Sequence, residues 1–102
     1  TIESLAREQE LATLDKLKQK VLKKECEFTI SHFFEEMANA NLVFADIENA
    51  MLKGRINRKF TRDPRGTRYE VVGPAKDGRP IAVICRIKST TKLLFITTYA
   101  VE

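Results

Sequence analysis

The sequence predicts one α+β domain, with N-terminal helices packed on a four-stranded antiparallel β-meander. Three observations carry this expectation. Ile2 to Lys24 is a run of strong helix formers without Gly or Pro. From Arg55 onward, strand-like runs alternate with turn clusters at Asp63, Pro64, Arg65 and Gly66, at Lys76, Asp77 and Gly78, and at Ser89, Thr90 and Thr91. The 102 residues are 43% hydrophobic and 31% charged, enough for one modest core and too little for a second domain.

Leu11, Leu14, Val21 and Leu22 fall near helical spacing in the first run, so residues 1–27 are expected to hold an amphipathic helix. Its early glutamates, Glu3, Glu8 and Glu10, and its late lysines, Lys20, Lys23 and Lys24, complement the helix dipole. The leucine seam suits packing on the sheet and pairing with a second copy equally well. After a break over Cys26 to Ile30, the core is expected to span residues 31–101. Ser31 is placed to cap a helix that begins at His32 and buries Phe33, Phe34, Met37 and Ala38. Asn39 to Leu42 reads as a connection, and Asp46 to Leu52 as a further helix with Ile47, Ala50 and Met51 inward, ended by Gly54.

Strands are expected over Arg55 to Arg62, Thr67 to Gly73, Ile81 to Lys88 and Lys92 to Val101. The last two are apolar on both faces, which makes them central and covered on both sides, whereas the first is a charged edge. The register between the second and third strands stays open. A one-residue slip at Asp77 and Gly78 would exchange the faces of Arg68 and Glu70 relative to Arg86.

No apolar run approaches the roughly 18 residues needed to cross a bilayer, and Thr1 to Glu10 is charged where a signal peptide would be apolar. The protein is therefore expected in the cytoplasm, with no membrane partner. Cys26 and Cys85 stand in no metal-like spacing, and with a single His the chain offers no zinc or iron motif, so neither a metal nor another cofactor is expected.

The net charge of +4 is unevenly spread. Residues 1–30 are balanced, residues 31–54 carry a net of minus three, and residues 55–102 a net of plus seven. The hairpin from Arg55 to Arg68 gathers Arg55, Arg58, Lys59, Arg62, Arg65 and Arg68 against Asp63, with Phe60 and Tyr69 interleaved. Two readings stand beside each other: a phosphate-binding ribbon with aromatic faces for unpaired bases, and an edge strand that uses charge to prevent aggregation. His32, the only histidine, is either a general acid or base or a residue that caps and packs a helix start. Glu70 is either an ion-pair partner for Arg68 or Arg86, or one of those arginines clamps a scissile phosphate. Thr97, Thr98 and Tyr99 could add hydroxyl donors.

Across residues 31 to 101, Ser31, His32 and Met37, then Asp46, Ile47, Ala50 and Gly54, then Arg68, Tyr69, Val71, Val72 and Gly73, then Asp77, Gly78, Arg79 and Pro80, and finally Ile96, Thr97, Thr98 and Tyr99 carry a resemblance to a small prokaryotic domain of unknown function grouped with the RelE-like toxins. It implies metal-independent RNA cleavage, in which a ribose 2′-hydroxyl attacks the adjacent phosphate, and an antitoxin-like protein partner. His32 or Glu70 would then accept or donate the proton, Tyr99 would donate, and Arg68 with Arg86 would supply positive charge. Arginines that similar sequences carry in the helix after the histidine are replaced here by Glu36 and Ala40. The other function class in view is a non-catalytic module that binds nucleic acid, a protein partner or itself through the N-terminal helix.

Overall fold

The computed structural model describes residues 2–29 and 31–101, so Ile30, expected in the break before the second helix, lies outside the described residues. Helix α1 spans Ile2–Leu22, strand β1 Cys26–Phe28, helices α2 and α3 His32–Asn39 and Phe44–Lys53, and strands β2 to β5 Arg55–Phe60, Arg68–Pro74, Pro80–Ile87 and Leu93–Ala100. The fold is α+β, but the sheet has five strands in the order β1-β5-β4-β3-β2, which corrects the expected four-stranded meander. Strands β2 to β5 form the antiparallel meander, while β1 runs parallel to β5 with Cys26 opposite Leu93 and Phe28 opposite Phe95. Three residues carry no readable period, and the partner of β1 lies at the far end of the chain, so no local pattern announces this strand.

The helices share one core with one face of the sheet. Leu17 and Val21 of α1, Phe33 and Met37 of α2, and Ile47, Ala50 and Met51 of α3 meet Val71, Ile81, Val83, Cys85, Leu93 and Phe95. Phe28 sits in the middle of an aromatic group, with ring centroids 5.3 to 5.5 Å from Phe33, Phe34, Phe44 and Phe95. Leu17 is fully buried, whereas Leu11 and Leu22, expected in the seam, are 56% and 59% exposed. Phe34 and Ala38 are exposed as well, which narrows the inward stripe of α2 to Phe33 and Met37.

The helix ends differ from expectation in an informative way. Ser31 has a φ of 69° and makes no side-chain cap. Helix α3 starts two residues before Asp46, whose carboxylate accepts the Val43 N–H at 2.9 Å and the Lys76 N–H at 2.9 Å. One buried acid thus closes a helix start and holds the β3–β4 connection. Arg79 ties the same connection to the α2–α3 linker by donating to the carbonyls of Ala40 and Asn41.

Register settles the open question about faces. Arg68 lies opposite Arg86 and Glu70 opposite Ile84, so all three side chains share the face turned away from the helices. Strands β4 and β5 are central, as expected, but among the described residues helices cover only one of their faces.

Candidate functional site

The helix-free face of the sheet forms a grid of three rows across β2, β3, β4 and β5. The row nearest the β2–β3 turn is Phe60, Arg68, Arg86 and Leu94; the middle row is Arg58, Glu70, Ile84 and Thr97; the last is Arg55, Val72, Ala82 and Tyr99. In a regular strand Arg55 and Arg58, three apart, point to opposite faces. A β-bulge at Asn57 reverses the alternation and brings both to the open face, while it turns Lys59, opposite Tyr69, to the helix side. Four arginines therefore share this face with Glu70, the only acid in strands β2 to β5.

Glu70 organises the middle of the face. It is 3% exposed and accepts from Asn57 Nδ2 at 2.7 Å and from Arg58 Nε at 3.4 Å on one oxygen, and from the Tyr99 hydroxyl on the other. Tyr99 reaches it from the last row by lying diagonally across β4. That crossing accounts for the burial of Ala82 and Ile84 on a face without helices. Burial pushes the Glu70 carboxyl up, but the bonds from Tyr99, Asn57 and Arg58 outweigh it and hold the group below its ordinary value. Burial and the neighbouring carboxylate push the Tyr99 phenol up.

The turn end of the face is less well satisfied. Arg68 and Arg86 confront each other across β3 and β4. The Arg68 guanidinium lies over Phe60, 5.2 Å from the ring centroid, and its Nε is 3.3 Å from Asp63. Arg86 donates from Nη1 to the Arg65 carbonyl at 3.1 Å. The Nε–H of each arginine is buried and donates no hydrogen bond. A shallow hollow of about 490 Å³ adjoins this corner, lined by Phe60, Arg62, Asp63, Arg65 and Arg68 among others.

The basic hairpin is thus not one continuous ribbon. Arg58 is paired with Glu70, and Arg65 and Arg68 with Asp63; Lys59 faces the helix side, and Arg62 lies beyond the end of β2. Phe60 is on the open face, whereas Tyr69 packs against the core. Glu70 pairs with Arg58 rather than with Arg68 or Arg86. Thr98 is buried and donates to the Ala82 carbonyl. His32 stands exposed at the start of α2 on the helix side, three residues beyond Thr29, which is bonded to Phe95 and Ile96 at the β5 edge. Among the described residues no hydrogen bond or ion pair joins His32 to the grid. Nothing in the sequence marks Asn57, because a bulge is set by strand pairing and leaves no sign of its own in a single chain.

Among the described residues no three His, Cys, Asp or Glu side chains gather as a metal site, and no helix is long and apolar enough to cross a membrane. Fold and face together define an α+β domain with an open, arginine-bearing sheet surface. Residues 30–100 match the family described as a domain of unknown function (DUF4258), and the chain belongs to that family. The match runs from the threshold of α2 to the end of β5 and leaves α1 and β1 outside it. No curated protein and no solved structure matches the chain. None of these comparisons connects it to the RelE-like toxins.

Proposed function

We propose that the helix-free sheet face binds the phosphate backbone of single-stranded RNA. One observation carries this reading: Arg55, Arg58, Arg68 and Arg86 occupy one face whose strands hold a single acid, Glu70. Cations so gathered neutralise phosphates and release their counterions. Guanidinium groups suit the task because their planar fork matches phosphate oxygens. The test is the affinity of the wild type for a labelled single-stranded oligoribonucleotide across salt concentrations. Contact with about three phosphates gives a slope of log K against log salt near −2, because each contributes roughly −0.7, and Arg86→Gln reduces the slope by about one such step. Binding that is absent, or indifferent to salt, rejects the reading.

Cleavage of that RNA in the manner of a RelE-like toxin is the finer reading. The Tyr99 and Glu70 pair beside two arginines favours it, as Tyr99 presents a hydroxyl and Arg68 and Arg86 supply charge for a pentacoordinate phosphate. Digestion of a defined RNA in EDTA, with growth arrest on expression, tests it in the wild type and in His32→Ala and Arg68→Ala. A wild type that neither cuts nor arrests growth removes cleavage and leaves binding in place. A separate observation favours a protein contact through α1, whose Ile2, Leu5, Leu11 and Leu22 are exposed. An antitoxin-like protein or a second copy would cover these side chains. The mass of the purified protein in solution distinguishes a monomer from a self-associating form, and a neighbouring small gene supplies the candidate for co-purification.

A further inference from the structure

The confronting pair at the turn end of the sheet is an uncompleted arrangement. Like charges directly opposite on antiparallel strands repel. A buried donor without an acceptor is costly and calls for an explanation such as a ligand. Both conditions hold for Arg68 and Arg86 at once. Among the described residues no carboxylate lies within ion-pair distance of Arg86, whose one bond goes to a neutral carbonyl. Arg68 has Asp63, but its Nε lies 3.3 Å from Oδ2 without donating a hydrogen bond, so the pair attracts through charge alone.

Asp63 itself is well held. Its side chain is 6% exposed, with Arg65 donating to Oδ1 from its backbone N–H at 2.9 Å and from Nε at 3.3 Å. It is thus an anion fixed by its own turn and pressed against one of two arginines. A carboxylate in that place does part of what a phosphoryl oxygen would do. The turn that carries it passes beside Arg86 at Gly66, whose φ of 124° favours glycine and where a Cβ would stand in ordinary contact with the Arg86 Cδ.

We propose that Arg68 and Arg86 form a phosphoryl-binding site and that Asp63 is its built-in competitor, a carboxylate that gives up Arg68 when phosphate arrives. This deepens the RNA reading, since the phosphoryl group would belong to an RNA strand. The phosphoryl oxygens accept side-on hydrogen bonds from both guanidinium groups, including the Nε–H groups, which are buried until the Asp63 turn moves aside. Asp63 sets the affinity because its contact with Arg68 must be exchanged for the new one.

A second turn with the same hydrogen bonds, more open to solvent, serves as the control. Asp77 accepts the Arg79 backbone N–H and the Arg79 Nε in the β3–β4 turn, as Asp63 does with Arg65, but no Arg68 equivalent leans on it. Asp63→Asn and Asp77→Asn each keep an oxygen for the turn and each remove one negative charge. Affinities are measured for a 5′-phosphorylated and an unphosphorylated hexaribonucleotide in wild type, D63N, D77N, R68Q and D63N/R68Q. Inorganic phosphate is titrated against chloride at equal ionic strength while the arginine Nε–H resonances are followed. The expected result is binding about two- to fivefold tighter in D63N, the scale of a partly exposed ion pair, a smaller change in D77N, and no gain from D63N once Arg68 is gone. The Arg68 and Arg86 Nε–H signals shift saturably with phosphate and not with chloride. A D63N gain no larger than that of D77N, or one that persists in the R68Q background, overturns the competitor. RNA binding with silent Arg68 and Arg86 signals overturns the site and leaves the RNA reading standing. A phosphate response without RNA binding does the reverse, and a preference for the phosphorylated strand marks a terminal phosphate over an internal one.

Discussion

Glu70 owes its properties to three donors on two strands, β2 and β5. At neutral pH it is an ionised acceptor with both oxygens occupied, and its lowered pKa makes it a weak proton acceptor, so in this arrangement it holds Arg58, Asn57 and Tyr99 in place. Tyr99→Phe keeps the ring over β4 and removes one donor; we expect a loss of about 1 kcal/mol, read as a fall of several degrees in Tm. Glu70→Gln leaves Arg58 without its counter-charge and should cost more, about 1 to 3 kcal/mol, in the same measurement. A Tyr99→Phe protein as stable as the wild type would break the account of this network. His32→Ala, by contrast, should leave RNA affinity within about twofold, because the side chain stands off the grid and binding by phosphate contacts does not draw on it. The residue types of this face were readable in the sequence, as was the excess of cations. Their sorting into neighbours was not, because it turns on the Asn57 bulge and on the β3–β4 register, both properties of paired strands.

Helix α3 and strand β3 meet without side chains at their closest point. A Cβ at Gly73 would overlap the Ala50 carbonyl oxygen and crowd the Gly54 backbone, and neither can yield without moving the helix off the sheet. Gly73→Ala is therefore expected to destabilise by about 2 to 3 kcal/mol, the scale of an overpacked core, despite the gain in chain stiffness an alanine usually brings. A denaturant midpoint equal to that of the wild type would contradict this packing. The first half of α1 behaves in the opposite way: residues 2–12 are exposed, and burial begins at Leu14. Removing residues 1–9 should change stability by less than about 1 kcal/mol, since it uncovers almost no core. Helix formers and turn residues made most elements legible, from α1 to the β4–β5 turn. Strand β1 leaves no local pattern because its order comes from pairing with β5, and of the leucine seam of α1 only Leu14 and Val21 face the core, Leu11 and Leu22 being exposed.

For the whole molecule, proton linkage joins these local arrangements into one stability curve. Burial pushes the Cys85 thiol up to about 12, so it should resist thiol reagents until the chain unfolds globally. On the acid side, Asp46 is lowered first by the Val43 and Lys76 N–H groups, and the Glu70 hydrogen bonds outweigh its burial. Asp63 is lowered first by the Arg65 N–H of its own turn, and Glu27 and Asp77 are lowered as well but are more open to solvent and contribute less. A carboxyl whose folded pKa lies below its unfolded one binds protons more readily in the unfolded chain. Its contribution is complete above the unfolded carboxylate range, and it is lost as pH falls through the folded value. Raised thiols and phenols act at the other end, contributing below their unfolded values and losing that contribution as pH rises through the folded ones. Stability should then hold roughly level from about pH 5 to 8 and fall on acidification below about pH 4.5. Asp46→Asn and Glu70→Gln each remove one of these buried acids. Each variant should start lower at pH 7 and lose less between pH 5 and pH 3 than the wild type, because the proton-linked contribution has already gone. Parallel acid limbs in urea unfolding of all three proteins would show that neither Asp46 nor Glu70 carries it.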